Sequence, residues 1–283
     1  MQRVLKGGLV AAAIVAAGTV GCLSRSAPSG DGRYVAPRLV GSSHPDINGV
    51  WQAMNTAYWD IQDHSAQAGP VLALGAWGAM PAGQGIVESN EIPYQDWARA
   101  KKKENYEKRL MVDPDNFELG DPELKCYLPG VPRVTYLPYP FQIIQGTNQM
   151  LISYEYADAS RLINMENHVR PPADSFMGWS NGEWDGDTLV VTVTDFNGKS
   201  WFDRAGNFSS ETLKVVERYT PTSPDHLQYE ATIEDPKVFT RPWKISFPLY
   251  RRKEPKAQRN EFKCVEFTEE LIYGSLSKKV AAR

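Results

Sequence analysis

Three cysteines and four histidines are all that 283 residues contain, and no two histidines stand at a ligand spacing. That scarcity argues against a zinc site, which gathers such residues at short intervals. Charge of one sign is lacking too. The 31 Lys and Arg are scattered among 34 Asp and Glu, a formal net charge of −3. No electrostatic footprint for a nucleic acid follows. There is no Walker loop and no dinucleotide fingerprint followed by a helix, so no cofactor site is expected. Long helices are not expected either, because 20 Pro and 22 Gly argue for many turns.

What is present begins with an address. Arg3 and Lys6 precede an apolar run from Leu9 to Val20 that ends in Gly21-Cys22, the layout of an export signal. A small residue directly before a cysteine resembles the bacterial lipobox, in which that cysteine is lipidated and becomes the mature N-terminus. Thr19 stands where the lipobox usually has an aliphatic residue. The alternative is an ordinary cleaved signal with an incidental cysteine. The expected layout is a signal peptide over residues 1–21, lipidation at Cys22, and a flexible tether over 22–45 rich in Ser, Gly and Pro. Leu23 supplies no acidic retention signal, so the expected address is the periplasm, anchored to the outer membrane. Cys126 and Cys264 remain, an even number for an oxidising compartment, and predict a disulfide between the segment before the sheet and its last strand.

A hairpin stands at the centre of the chain. Asp185-Gly186-Asp187 separates two runs of strand character, and Leu189, Val191 and Val193 then alternate with threonines and Val190. Asp46 to Trp51 leads into a first strand. Similar runs are Phe141 to Gln145, Met150 to Tyr156, Arg161 to Met165, Leu213 to Tyr219, His226 to Asp235, Trp243 to Arg251 and Glu261 to Phe267. Turn residues join them with no helical interval long enough for a crossover, which predicts an antiparallel sheet. Closing that sheet removes its exposed edges. The expected fold is mainly β, an up-and-down meander closing into a calycin- or lipocalin-like barrel of about eight to ten strands. It forms one domain over residues 46–283, with a helical and loop extension at 55–140. Within the extension a helix is expected over Ile92 to Leu110, with Pro93 in its first turn, and a short one over Asp60 to Ala68. Asp113 to Pro140 is dense in proline and reads as an ordered loop.

Several stretches resemble a large family of exported bacterial proteins: Cys126-Tyr-Leu-Pro-Gly-Val-Pro-Arg133, Pro138-Tyr-Pro-Phe-Gln-Ile-Ile144, Gly182-Glu-Trp-Asp-Gly-Asp-Thr-Leu-Val-Val191, Val216-Glu-Arg-Tyr219 and Thr232-Ile-Glu-Asp-Pro-Lys237. The likeness runs from Asp46 to Glu266 and implies export and a calycin-like barrel, with no reaction attached. The family pattern often has His-Pro between Met165 and Pro172; here the residues are Asn167-His168-Val169-Arg170.

A barrel interior is apolar, so polar residues on an apolar strand face are the informative ones. Glu217 interrupts the face of Leu213, Val215 and Tyr219, and Arg161 begins the face continued by Ile163 and Met165. Opposed across a cavity, the two would hold an anionic or hydroxylated ligand or position a general base. A buried structural ion pair is the bland alternative. Glu155 is the third catalytic candidate, or else an outward residue of a half-exposed strand. Trp201 and Asp203 are expected at the barrel rim. Tyr154, Trp184 and His64 complete the ligand-binding candidates, His64 because Asp60 and Asp63 lie beside it. Ser180 sits in a G-x-S-x-G pattern, but a second strand follows where a nucleophile elbow needs a helix. Taken together these residues suggest a lipid-anchored envelope barrel binding a small apolar or aromatic ligand. The alternatives are a cofactor-independent lyase, isomerase or hydratase, and a structural envelope protein with a filled barrel.

Overall fold

The computed structural model describes residues 34–69, 71–111, 119–266 and 268–276. The expected signal peptide and Cys22 lie outside the described residues. Nine strands follow the alternating pattern: β1 Gly49–Ala53, β2 Phe141–Gln145, β3 Gln149–Tyr154, β4 Ser160–Asn164, β5 Trp179–Asp185, β6 Thr188–Thr194, β7 Lys214–Ser223, β8 His226–Glu234 and β9 Trp243–Arg251. Each strand pairs with the next and β9 pairs back onto β1, so the sheet closes into a barrel. The registers explain the alternation. Val193, Val215, Ile233 and Trp243 lie side by side across β6 to β9, and all four are buried. Burying each such side chain stabilises the fold by about 1.5–3 kcal/mol.

One pair corrects the purely antiparallel meander. Nine strands cannot alternate in direction all the way round a closed ring, so one neighbouring pair must be parallel. That pair is β4 with β5, Ile163 opposite Ser180 and Asn164 opposite Asn181. Residues 165–178 carry the chain back along the outside of the barrel without forming a helix, which is why no crossover was legible in the sequence. Gly178 ends this crossover at φ +64°, where a Cβ would meet the Thr194 carbonyl oxygen at 2.7 Å. Prolines inside strands sit where a ladder has stopped. The β6–β7 register ends at Leu189–Tyr219, so Pro221 of β7 faces only β8, where the register shifts.

The two ends of the barrel are unlike. At the end where β2, β4 and β5 begin, the extension and the β6–β7 and β8–β9 connections cover the opening. Among its described residues the extension carries two α-helices, α1 Asp96–Lys108 and α2 Arg133–Tyr136, besides two short 3-10 helices, Leu72–Gly78 and Pro122–Lys125. α2 works as a plug: Thr135 and Tyr136 are buried, and Tyr136 donates to the Phe202 carbonyl oxygen at 2.7 Å. At the opposite end lie the turns at 146–148, 186–187 and 224–225, together with residues 34–48. Part of the expected tether is among the latter. Ala36 and Pro45 are buried, Arg38 pairs with Asp187, and His44 stacks on Trp184 at 4.9 Å.

Three smaller expectations are corrected. No helix forms over 60–68, because that backbone finds better partners elsewhere: Ile61 N donates to Asp203, and His64 and Gln67 bridge to Gly83 and Met80. α1 starts at Asp96 rather than near Pro93, since the Pro93 carbonyl is taken by Thr240 N at 2.8 Å. Residues 261–266 form no strand, and a short helix α3, Thr268–Tyr273, follows them. The disulfide Cys126–Cys264 is present, with 5.7 Å between Cα atoms. It fastens an irregular tail rather than a last strand, and Phe262 of that tail lies against Tyr139 and Tyr156 at 4.8 and 5.3 Å. Among the described residues no helix is long and apolar enough to cross a membrane.

Candidate functional site

Arg161, Glu217 and Tyr154 meet inside the barrel. Glu217 lies between Val191 and Ala231 on neighbouring strands, and these short residues leave Arg161 the width of the lumen to cross from β4 to β7. Arg161 reaches Glu217 with both terminal nitrogens, Nη1 to Oε1 at 3.3 Å and Nη2 to Oε2. Tyr219 and Tyr229 donate to the same Oε1 at 3.0 and 2.9 Å. None of the four residues is more than 4% exposed.

Burial opposes the charge on Arg161, but the Glu217 carboxylate overrides it and keeps the guanidinium protonated. Burial and then the Glu217 charge push both tyrosine hydroxyls up, so they remain donors. Oε1 takes three of these bonds and Oε2 one, all within a buried group. This is the geometry of a buried ion pair backed by neutral donors. Arg161, the Tyr154 hydroxyl and Thr135 lie together in the same buried group, where Thr135 and Arg161 are the polar neighbours of that hydroxyl. Burial pushes the Tyr154 hydroxyl up to about 12.

The remaining expected residues stand apart from this pair. Glu155 lies outside the lumen, where its Oε2 accepts from Asn260 N of the tail at 3.1 Å. Trp201 and Asp203 are at the covered end, not at the open mouth. Trp201 is buried under α1, near Asn105 and Lys108. Asp203 is a structural hub: Ile61 N, Ala205 N and the backbone and side-chain nitrogens of Asn207 all donate to it at 2.6–3.1 Å. Burial, with the charge of Asp60 next, pushes its carboxyl up to about 7 against those donors. His64 meets the Gln62 carbonyl through Nδ1 at 2.8 Å, also in the extension. Trp184 is at the open end under His44.

Two groupings were missed in the sequence. One is a charge cluster beside the plug. Arg133 grips Asp121 with two bonds of 2.8 and 2.9 Å and reaches Glu123 Oε2 at 2.6 Å, while Arg204 donates to both Glu123 oxygens, Oε2 at 3.0 Å and Oε1 at 3.1 Å. Burial alone would raise Glu123; Arg204 and Arg133 overcome it and hold the carboxyl at about 2.

The other grouping is the mouth at the end opposite the plug, part of which residues 34–48 cover. The Arg251 guanidinium lies over the Trp51 ring at 4.2 Å and donates to the Asn48 and Pro224 carbonyls at 2.6 and 3.0 Å. Gly49, at φ +139°, makes room for it, since a Cβ there would come 2.2 Å from Nη1. Tyr34, Trp51, Pro221, Leu227 and Arg251 line a cleft of about 280 Å³. Its signal was available. Arg251 ends the inward face of Trp243, Ile245, Phe247 and Leu249, a cation closing an apolar alternation just as Arg161 opens one.

No family model, curated protein or solved structure matches this chain. Among the described residues no three His, Cys, Asp or Glu side chains come together where they could hold a metal ion.

Proposed function

We propose that this protein is an exported, lipid-anchored barrel of the bacterial cell envelope that takes a small, largely apolar or aromatic ligand at its open mouth. The observation that carries the reading is the cleft of about 280 Å³ with Trp51 beneath Arg251 and with Tyr34 and Leu227 in its walls. Barrel mouths are a recurrent seat for ligands, and rings with a few placed polar groups are their usual lining. The lumen offers less, because Arg161, Glu217, Tyr219 and Tyr229 occupy it. The envelope address rests on Arg3, Lys6 and the run ending in Gly21-Cys22, and on the likeness to exported bacterial proteins.

The site is tested by titrating isotope-labelled protein with indole and following nuclear magnetic resonance signals. Shifts should centre on Trp51 and Leu227 and weaken at least about tenfold in affinity in Tyr34→Ala. A titration that leaves the Trp51 indole N–H unmoved would remove the mouth site. The anchor is tested separately: Cys22→Ser should move the protein from the membrane fraction to the soluble one. A wild-type protein already soluble on fractionation would show that Cys22 is not lipidated.

A second reading, a structural envelope protein with a filled barrel, draws on the sealed lumen. It expects folding to depend on Glu217 while no small molecule shifts Trp51.

A further inference from the structure

We infer that the flank of the barrel, between the 165–178 crossover and the outer faces of β5 to β7, holds a second binding site, for a neutral, polyhydroxylated ligand of sugar type. The crossover exists only because the nine-strand ring needs a parallel pair, and it does not lie flat on the strands. Together with residues 211–214 it borders an open surface cleft of about 480 Å³, within the range of ligand sites. The floor is β5, where Trp179 and Asn181 point outward, two residues apart on one face.

Both floor residues carry an unmet polar atom. Trp179 Nε1, a donor, and Asn181 Oδ1, an acceptor, are buried with no hydrogen-bond partner. Buried polar groups are nearly always paired, so a donor and an acceptor left open beneath one cleft call for an explanation. A group that both donates and accepts, such as a hydroxyl, satisfies each of them. The rim holds both signs of charge, with Arg170 and Lys214 facing Asp174, Asp195 and Glu211. Several of these already have partners: Arg170 meets Asp195 at 3.2 Å, Lys214 meets Glu234 at 3.8 Å, and Glu211 pairs with Lys237. The rim sets three carboxylates against two cations, and the pairs just named neutralise most of that charge, so it attracts no ion strongly, while its oxygens and nitrogens suit a ring of hydroxyls. The indole of Trp179 adds the flat apolar surface that the C–H face of such a ring needs.

Access is governed by weak latches. His168 Nε2 meets the Gly182 carbonyl at 3.2 Å, and the Arg170 side chain, 91% exposed, makes the Asp195 pair. Exposed ion pairs hold little. These two contacts hold only the stretch 168–170; both ends of the crossover stay on the barrel, through Met165 N to the Asn148 carbonyl, the backbone bonds of Ser175 with Asp195 and Asn197, and the buried Met177. Movement confined to residues 168–170 would uncover Trp179 Nε1 and Asn181 Oδ1.

The test uses the folded, isotope-labelled protein with glucose, N-acetylglucosamine and their β-linked disaccharides as probes, and citrate and spermidine as charged controls. Saturable shifts are expected at the Trp179 indole N–H and the Asn181 side-chain amide, with the Trp51 signal unmoved. Asn181→Ala and Trp179→Phe should each keep the spectrum of the folded barrel and weaken the sugars at least about tenfold. Trp179→Phe removes the donor together with part of the stacking surface, whereas Asn181→Ala removes the acceptor and leaves the indole, so the two variants separate the acceptor's hydrogen bond from the indole's combined contribution. The inference is overturned if no sugar moves the two floor signals, if only a charged control does, or if both variants bind as wild type. Because the mouth is read at Trp51 and the flank at Trp179, failure of one site leaves the other standing.

Discussion

Arg133 and Arg161 are both buried, and each grips a carboxylate with two terminal nitrogens, yet the two groups are built and sealed differently. Arg133 finds Asp121 and Glu123 within twelve residues of itself, in one proline-rich segment, and a second cation, Arg204, comes from the β6–β7 connection with 21% of its side chain exposed. Arg161 finds Glu217 fifty-six residues away, only because closure of the barrel brings β4 and β7 face to face, and no solvent reaches either group. The outer cluster is a clamp at the edge of the covered end and keeps contact with water through Arg204. The inner pair is a fastener in a sealed volume, where tyrosine hydroxyls take the place of solvent. Buried charges therefore persist in this fold in two ways, by multiplying counter-charges near the surface or by converging neutral donors in the interior.

The comparison breaks hardest at Glu217. Glu217→Gln leaves the guanidinium underpaired in a dry lumen and should cost about 3–5 kcal/mol in urea unfolding at neutral pH. Arg161→Met combined with Glu217→Leu removes both charges and should recover part of that loss. A Glu217→Gln protein that unfolds like wild type would mean the inner pair fastens nothing.

Next comes the staple behind the outer clamp. Cys126 follows directly on the segment that carries Asp121 and Glu123, so Cys264→Ser should lower stability by about 2–5 kcal/mol by freeing a long loop. Equal melting of oxidised and Cys264→Ser proteins would contradict this.

Smaller effects separate the outer groups by pH. Glu123, held at about 2 against an ordinary 4.5, stabilises the fold fully above pH 4.5 and loses that contribution as pH falls toward 2. Asp203 runs the other way: pushed up to about 7 from 3.8, its contribution is complete below 3.8 and lost as pH rises through 7. Urea midpoints taken between about pH 2 and pH 8 should flatten on the acid side in Glu123→Gln and on the neutral side in Asp203→Asn, each by roughly 1–3 kcal/mol. Unchanged slopes in both variants would show that neither carboxyl is perturbed. The smallest effect belongs to the exposed pair on the crossover: Arg170→Ala should change stability by less than about 1 kcal/mol, and a larger loss in urea unfolding would show that this latch is more than a surface contact.

Much of the barrel could be read from single strands. The period-two faces of β2, β6, β8 and β9 state which side is dry, and Asp185-Gly186-Asp187 states where one hairpin turns, because these are local properties of side-chain alternation and backbone φ. The same local logic marked Glu217 and Arg161 as polar interruptions of apolar faces, and Cys126 with Cys264 as partners by parity. What the sequence could not carry was anything set by ring closure. The parallel β4–β5 pair is a consequence of strand number, and the crossover cleft follows from it. Trp201 and Asp203 looked like rim residues because strands end near them, but which end is open depends on where α2 and the extension come to rest. Trp51 and Arg251 meet across two hundred residues, and Tyr219 and Tyr229 turn toward Glu217 only when β7 and β8 are in register. The sequence by itself determined most of the strands and their dry faces, since these depend on neighbours along the chain, and it left two cysteines whose even number made them partners. Only the tertiary structure decided which polar groups face one another and which end stays open, because those depend on how a closed sheet returns to its first strand.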